Sequence, residues 1–98
     1  MAKEIIWSPK ARISFERVIK YLNEKWSEKE VRNFVQKSHS LICMIAKGKV
    51  KFRKSESKDI FQVPITKQNL LLYRSNEKRI ELLLFFDTRQ HPAKKGKL

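Results

Sequence analysis

The residues best placed to do chemistry in this chain close its last apolar run, where Ile80-Glu81-Leu82-Leu83-Leu84-Phe85-Phe86 passes directly into Asp87-Thr88-Arg89-Gln90-His91-Pro92. Arg89 is a permanent cation, and His91, one of only two histidines in the chain, titrates near neutral pH. A charged exit from a buried strand is a rigid place from which to present such groups. A second concentration of charge lies upstream. There Lys47, Lys49, Lys51, Arg53, Lys54 and Lys58 are opposed only by Glu56. Extended chain would set Lys47, Lys49, Lys51 and Arg53 on one side and Val50 and Phe52 on the other, a basic strip with apolar anchors.

These cations belong to a chain of 98 residues with a formal net charge of +13. Self-repulsion at that charge opposes compaction, so the composition points to a polyanionic partner: RNA, DNA, a ribosome or an acidic protein. Other chemistries find little support. Cys43 is the single cysteine, which rules out an internal disulfide. Within Leu41-Ile42-Cys43-Met44-Ile45 it reads as a small buried hydrophobe rather than a nucleophile. One cysteine and two distant histidines, His39 and His91, give no zinc spacing, so neither a metal nor another cofactor is expected. The start of the chain lacks an apolar signal region, and no apolar run approaches the ~20 residues of a membrane span. The chain therefore reads as cytoplasmic, with no membrane partner.

The elements that must position these groups are marked by local signals. Glu4-Ile5-Ile6-Trp7 reads as a short strand, and Ser8-Pro9 as a helix start, serine at the N-cap and proline at the first helical position. Ala11, Phe15, Val18, Ile19, Leu22 and Trp26 recur at helical spacing, which predicts a first helix from about Pro9 to Glu24. Ser27-Glu28-Lys29-Glu30 has the form of a capping box. The stripe Val31, Phe34, Val35, Ser38, Leu41, Ile42 and Ile45 follows, and Gly48 can close that helix in the left-handed conformation. The short link between the helices predicts an antiparallel hairpin. Trp7 and Trp26 are expected to close the core where the first strand meets it.

Three strands follow, Asp59–Ile65, Asn69–Ser75 and Arg79–Phe86, joined by short polar links as an antiparallel meander. Pro64 suits an edge. Strict alternation puts Ile80, Leu82, Leu84 and Phe86 on one face of the last strand and Leu83 and Phe85 on the other. Tyr73 is expected to pack in the sheet with its hydroxyl at the rim. The expected fold is α+β in a single domain over residues 1–98, an N-terminal strand and a two-helix antiparallel hairpin packed on an antiparallel β-sheet.

That order of elements resembles the RelE/ParE superfamily of bacterial toxins, of the plasmid-stabilisation type, over nearly the whole chain. The carriers are Trp7-Ser8-Pro9 with Ala11, Tyr21-Leu22-Asn23-Glu24-Lys25-Trp26, Ile65-Thr66-Lys67-Gln68-Asn69 with Tyr73-Arg74, and above all Ile80 through Pro92. The resemblance implies the toxin half of a type II toxin–antitoxin pair that arrests growth and is neutralised by a cognate acidic antitoxin. The groove between the helix hairpin and the sheet is the expected dock for it. RelE-like members cut mRNA in the ribosomal decoding site, whereas ParE-like members poison DNA gyrase.

Metal-free RNA cleavage needs a base for the attacking 2′-hydroxyl, cations for the charge on phosphorus and an acid for the leaving oxygen. By resemblance, Arg89 matches the family arginine at the end of the last strand and His91 could stand for the terminal acid or base. Lys49, Lys51, Arg53, Lys54 and Arg74 are the candidates for holding nucleic acid or target. The family's cation near the start of the middle strand is missing at Asn69–Leu71, and no tyrosine follows Tyr73. The nuclease set is thus incomplete, which favours a ParE-like or divergent member. Arg89 also has a plain structural alternative, pairing with Asp87. Two other functions remain open from the residues: a non-catalytic basic nucleic-acid-binding module, and a degenerate toxin that keeps only antitoxin binding.

Overall fold

The helix starts form as their sequences dictate. Ser8 Oγ accepts the Ala11 amide at 3.0 Å with Pro9 behind it, and Ser27 Oγ accepts the Glu30 amide at 3.3 Å. The computed structural model describes residues 3–48 and 60–89. In chain order its elements are β1 (Glu4–Trp7), α1 (Pro9–Lys25), α2 (Glu28–Ala46), β2 (Ile60–Pro64), β3 (Asn69–Ser75) and β4 (Arg79–Asp87). Gly48 ends the hairpin at φ +72°, the left-handed conformation in which a side chain would be strained. No described helix is long and apolar enough to cross a membrane.

The four strands lie in the order β1-β4-β3-β2. β2, β3 and β4 form the expected meander, with Pro64 on the edge strand. β1 joins beside β4 in parallel, from Glu4 opposite Arg79 to Trp7 opposite Leu82, so the sheet is mixed. A parallel pair needs a long crossover, and here the crossover includes the whole helix hairpin. β1 covers only the first half of β4. Beyond it α1 takes over: the Ser8 amide donates to the Leu82 carbonyl at 3.2 Å, and Ser14 Oγ accepts the Phe85 amide at 2.9 Å. Ser14 also donates to the Ala11 carbonyl at 3.0 Å, so this buried hydroxyl is satisfied twice.

Strict alternation along the last strand does not hold. Leu72 faces Leu84 and Tyr73 faces Leu82, which leaves Leu83 as an extra, unpaired residue. This β-bulge advances the phase of everything after it. Ile80, Leu82, Phe85 and Asp87 are the buried positions of β4, while Leu84 and Phe86 are half-buried on the opposite face. The core lies between the helices and the inner face of the sheet. Phe85 is its centre, 4.8 Å from the Phe15 ring, 5.3 Å from Trp7 in a stacked arrangement, and 6.2 Å from Phe34 edge-on. Tyr73 packs in the sheet at 3% exposure, stacked on Phe61 at 5.1 Å.

Two helical expectations also change. Trp26 does not continue the stripe of α1. It is the C-cap, at φ −127° and ψ −107°, and it stands 53% exposed. Cys43 faces solvent because Ile42, Ile45 and Ala46 already occupy the core-facing arc of α2. In the same helix Ser38 is fully buried, and its hydroxyl has no hydrogen-bond partner among the described residues.

Candidate functional site

The bulge in β4 decides where the chemistry of the strand exit goes. By turning Phe85 inward it also turns Asp87 inward, so a carboxylate sits fully buried at the end of the core. A buried carboxylate must be paired and hydrogen-bonded. Asp87 is: Asn69 Nδ2 donates to Oδ2 at 2.7 Å, and Arg89 supplies its backbone amide at 2.8 Å, Nε at 3.1 Å and a terminal nitrogen at 2.9 Å. The guanidinium therefore grips the carboxylate with two prongs, the geometry that gives strong and specific pairing.

Each partner is itself held. Asn69 Oδ1 accepts from Thr66 Oγ1 at 2.7 Å, and Thr66 Oγ1 in turn accepts the Gln68 and Asn69 amides. The β2–β3 turn is thereby fixed to the end of β4. On the other side, a terminal nitrogen of Arg89 reaches Glu30 Oε1 at 3.4 Å. The Glu30 carboxylate, which a capping box would turn back to Ser27, instead crosses to the sheet. The Arg89 guanidinium lies over the Trp26 ring, 4.6 Å from its centroid, a cation–π contact. One arginine thus joins the α1–α2 junction, the first turn of α2 and the last strand.

The charge state of this cluster follows from its contacts. The hydrogen bond with Asp87 raises the Arg89 pKa, against the lowering effect of burial, and Glu30 adds in the same direction. Arg89 is a fixed cation that cannot pass a proton, and two carboxylates lie against it. Burial also raises the Tyr73 pKa, so its phenol stays protonated through neutral pH. Among the described residues no group of three or more His, Cys, Asp or Glu is arranged to hold a metal ion.

Within the described residues the structure separates the cations that the sequence singled out, and Lys47 of the basic strip is the helical C-cap of α2, at φ −82° and ψ −4°, rather than extended chain. Arg89 is on the helix side, past the end of β4. Arg74 is on the opposite face, near the start of β4, exposed and 3.5 Å from Glu81. Lys49, Lys51, Arg53, Lys54 and His91 lie outside the described residues. Beside Arg89 is a cleft of about 280 Å³ bordered by Asn33, Lys37, Lys67 and Gln68. The members of the site that sequence reasoning missed are Glu30, Asn69 and Trp26. In sequence Glu30 completes a capping box and Asn69 opens a strand, and neither role points to the end of β4.

By sequence, no family model matches the chain, and no curated protein does. Its backbone is nevertheless shared with solved toxins. The chromosomal ParDE system of P. aeruginosa superposes with a TM-score of 0.72 at 13% identity, covering 88% of this chain and 96% of that one. The chain has the RelE/ParE toxin fold. The YoeB dimer from Staphylococcus aureus gives a TM-score of 0.64 at 17% identity, covering 88% of this chain and 97% of that one. The E. coli DinJ-YafQ toxin–antitoxin complex gives 0.63 at 9% identity, covering 92% of this chain and 97% of that one. At these identities the RelE/ParE likeness describes the path of the backbone, while side-chain roles rest on this chain's own geometry.

Proposed function

We propose that the protein is the growth-arresting toxin of a two-component toxin–antitoxin module, neutralised by a small acidic antitoxin, and that it acts on DNA gyrase rather than on ribosome-bound mRNA. The toxin reading is supported by a backbone shared over about nine-tenths of the chain with toxins of such modules, one of them solved in a toxin–antitoxin complex. A net charge of +13 supports the acidic antitoxin.

The observation that carries the choice of target is the state of Arg89. A cation that stabilises a phosphorane must be free to face it. Arg89 instead grips Asp87, touches Glu30 and lies against Trp26. Its role in this reading is to fix the end of the sheet, with Lys49, Lys51, Arg53, Lys54 and Arg74 as the cations that meet the target. In the nuclease alternative, His91 would serve as acid or base and Arg89 would have to leave its partners.

The test is induction of the chain without antitoxin, followed by pulse labelling of DNA synthesis and translation, with His91→Ala alongside. DNA synthesis is expected to fail first, and His91→Ala to remain toxic. Failure of translation first, with a harmless His91→Ala, would install the nuclease reading. Harmless expression of soluble wild-type protein would instead indicate a degenerate toxin.

A further inference from the structure

Two carboxylates meet Arg89, and they are held differently. Asp87 is fully buried and takes both prongs of the guanidinium, at 3.1 and 2.9 Å. Glu30 takes a single terminal nitrogen from farther off, at 3.4 Å, with its side chain 38% exposed. One long contact by a half-open acid is weakly held. Glu30 also has a second position available. It stands three residues after Ser27, and half of a capping box between them is formed, with Ser27 Oγ accepting the Glu30 amide at 3.3 Å. The return bond, from the Ser27 amide to the Glu30 carboxylate, is not made, and that amide has no partner among the described residues. Each position of Glu30 therefore satisfies a donor that the other leaves open.

The present position puts a negative charge on the wall of the cleft beside Arg89, whose other charged residues are Lys37 and Lys67 from α2 and the β2–β3 turn. Neither lysine has an acidic partner among the described residues. Asp87 already neutralises Arg89, so two lysines stand against Glu30. With Glu30 turned away, the excess in the cleft rises from one positive charge to two, the complement of a phosphate dianion. Asn33 and Gln68 add side-chain amide donors on opposite walls. A volume of about 280 Å³ is at the small end for ligand sites and suits a compact ion.

We propose that this cleft binds a phosphate dianion in exchange for the Glu30 carboxylate. The phosphate takes the Arg89 nitrogen that Glu30 now holds and sits between Lys37 and Lys67. Glu30 turns back to accept the Ser27 amide and completes the cap of α2. Arg89 keeps both prongs on Asp87, so the end of the sheet is undisturbed, and the ion replaces Glu30 as the link from β4 to the helix hairpin. The exchange is independent of which target the chain meets. A free phosphate and the terminal phosphate of a nucleotide present the same oxyanion.

The test titrates the full chain with inorganic phosphate and, in parallel, with adenosine 5′-monophosphate, at ionic strength matched with sodium chloride and followed by amide nuclear magnetic resonance. Saturable shifts are expected at Asn33, Lys37, Lys67 and Gln68, together with slower solvent exchange of the Ser27 amide. Glu30→Gln can cap α2 but brings no competing charge, so it should bind phosphate about threefold tighter and show a slow Ser27 amide without phosphate. In Glu30→Ala the Ser27 amide should stay fast throughout. The double variant Lys37→Ala, Lys67→Ala should weaken binding by about fivefold or more. Lys20→Ala, which removes an exposed charge from α1, should leave it unchanged. Thermal unfolding checks that each variant keeps the fold.

Equal affinities support a site for the free ion, and tighter monophosphate binding supports one for a nucleotide's phosphate. Shifts that chloride alone reproduces would reduce the effect to screening and overturn the site. Weaker phosphate binding by Glu30→Gln would make Glu30 a ligand rather than a competitor, and saturable binding with an unchanged Ser27 amide would remove the exchange; either result overturns the proposal.

Discussion

Trp7 and Trp26 are the chain's two tryptophans, and they lie at opposite extremes of its packing. Trp7 is stacked on Phe85 at 5.3 Å and meets Phe15 edge-on at 5.2 Å, so it is part of the aromatic core. Trp26 rests against the Arg89 guanidinium and keeps half its surface in water. The sheet sorts them. One end of its inner face is filled by rings that need only shape, and the other by a carboxylate, a guanidinium and an amide that need directed bonds. The aromatic end can relax around a small change. At the polar end Asp87, Asn69 and Arg89 are joined by directed hydrogen bonds, so the loss of one leaves its partners unsatisfied.

The largest effect should come from the aromatic end. Phe85→Ala removes the ring common to the Trp7, Phe15 and Phe34 contacts, and should cost about 4 kcal/mol in chemical denaturation. A loss below about 1 kcal/mol would show that the cluster closes over the cavity. At the polar end, Asp87→Ala should cost about 3 kcal/mol by leaving Arg89 and Asn69 without their acceptor. Here the comparison becomes sharp: Trp26→Ala, which leaves Asp87 paired, should cost under about 1 kcal/mol. Equal losses from these two variants would mean that the ring, and not the carboxylate, holds the α1–α2 junction to β4.

Ser14→Ala tests the seam between the two ends. It leaves the Phe85 amide buried without an acceptor and should cost about 2 kcal/mol, visible as faster hydrogen exchange at Phe85. The smallest effect belongs to Tyr73. Its pKa is raised in the folded state by burial, so its contribution is constant below the unfolded value near 10.0 and stability is lost as the pH rises from there through the folded value. Tyr73→Phe should flatten the alkaline limb of the stability profile. An unchanged limb would assign that limb to other groups.

Much of the framework was legible because its signals are local. Ser8-Pro9 and Ser27 with Glu30 start helices by bonding to amides three residues on, and such contacts depend on nearest neighbours alone. The limits of β1 and β3 follow from residue type and punctuation, and Gly48 follows from the conformation it alone adopts easily. The +13 charge, the helix hairpin on a sheet and the likeness to RelE/ParE toxins needed nothing beyond the order of residues.

The site was legible only in part. Arg89 and Asp87 were visible as a possible pair, but their place was not. Leu82 through Phe86 are all apolar, so nothing in their order marks the extra residue at Leu83 that sends Phe85 and Asp87 inward. The bulge exists because β3, β1 and α1 must all satisfy the same strand, with Ser14 meeting the Phe85 amide from 71 residues away in sequence. Glu30 and Trp26 obey the same logic. Each had an adequate local role, as cap and as stripe member, and each was drawn elsewhere by a guanidinium that only folding brings near. The sequence by itself determined where helices and strands begin, because those choices are made by bonds between close neighbours. The tertiary structure decided which face carries the charges and which tryptophan meets water, because those depend on partners that only the closed sheet brings together.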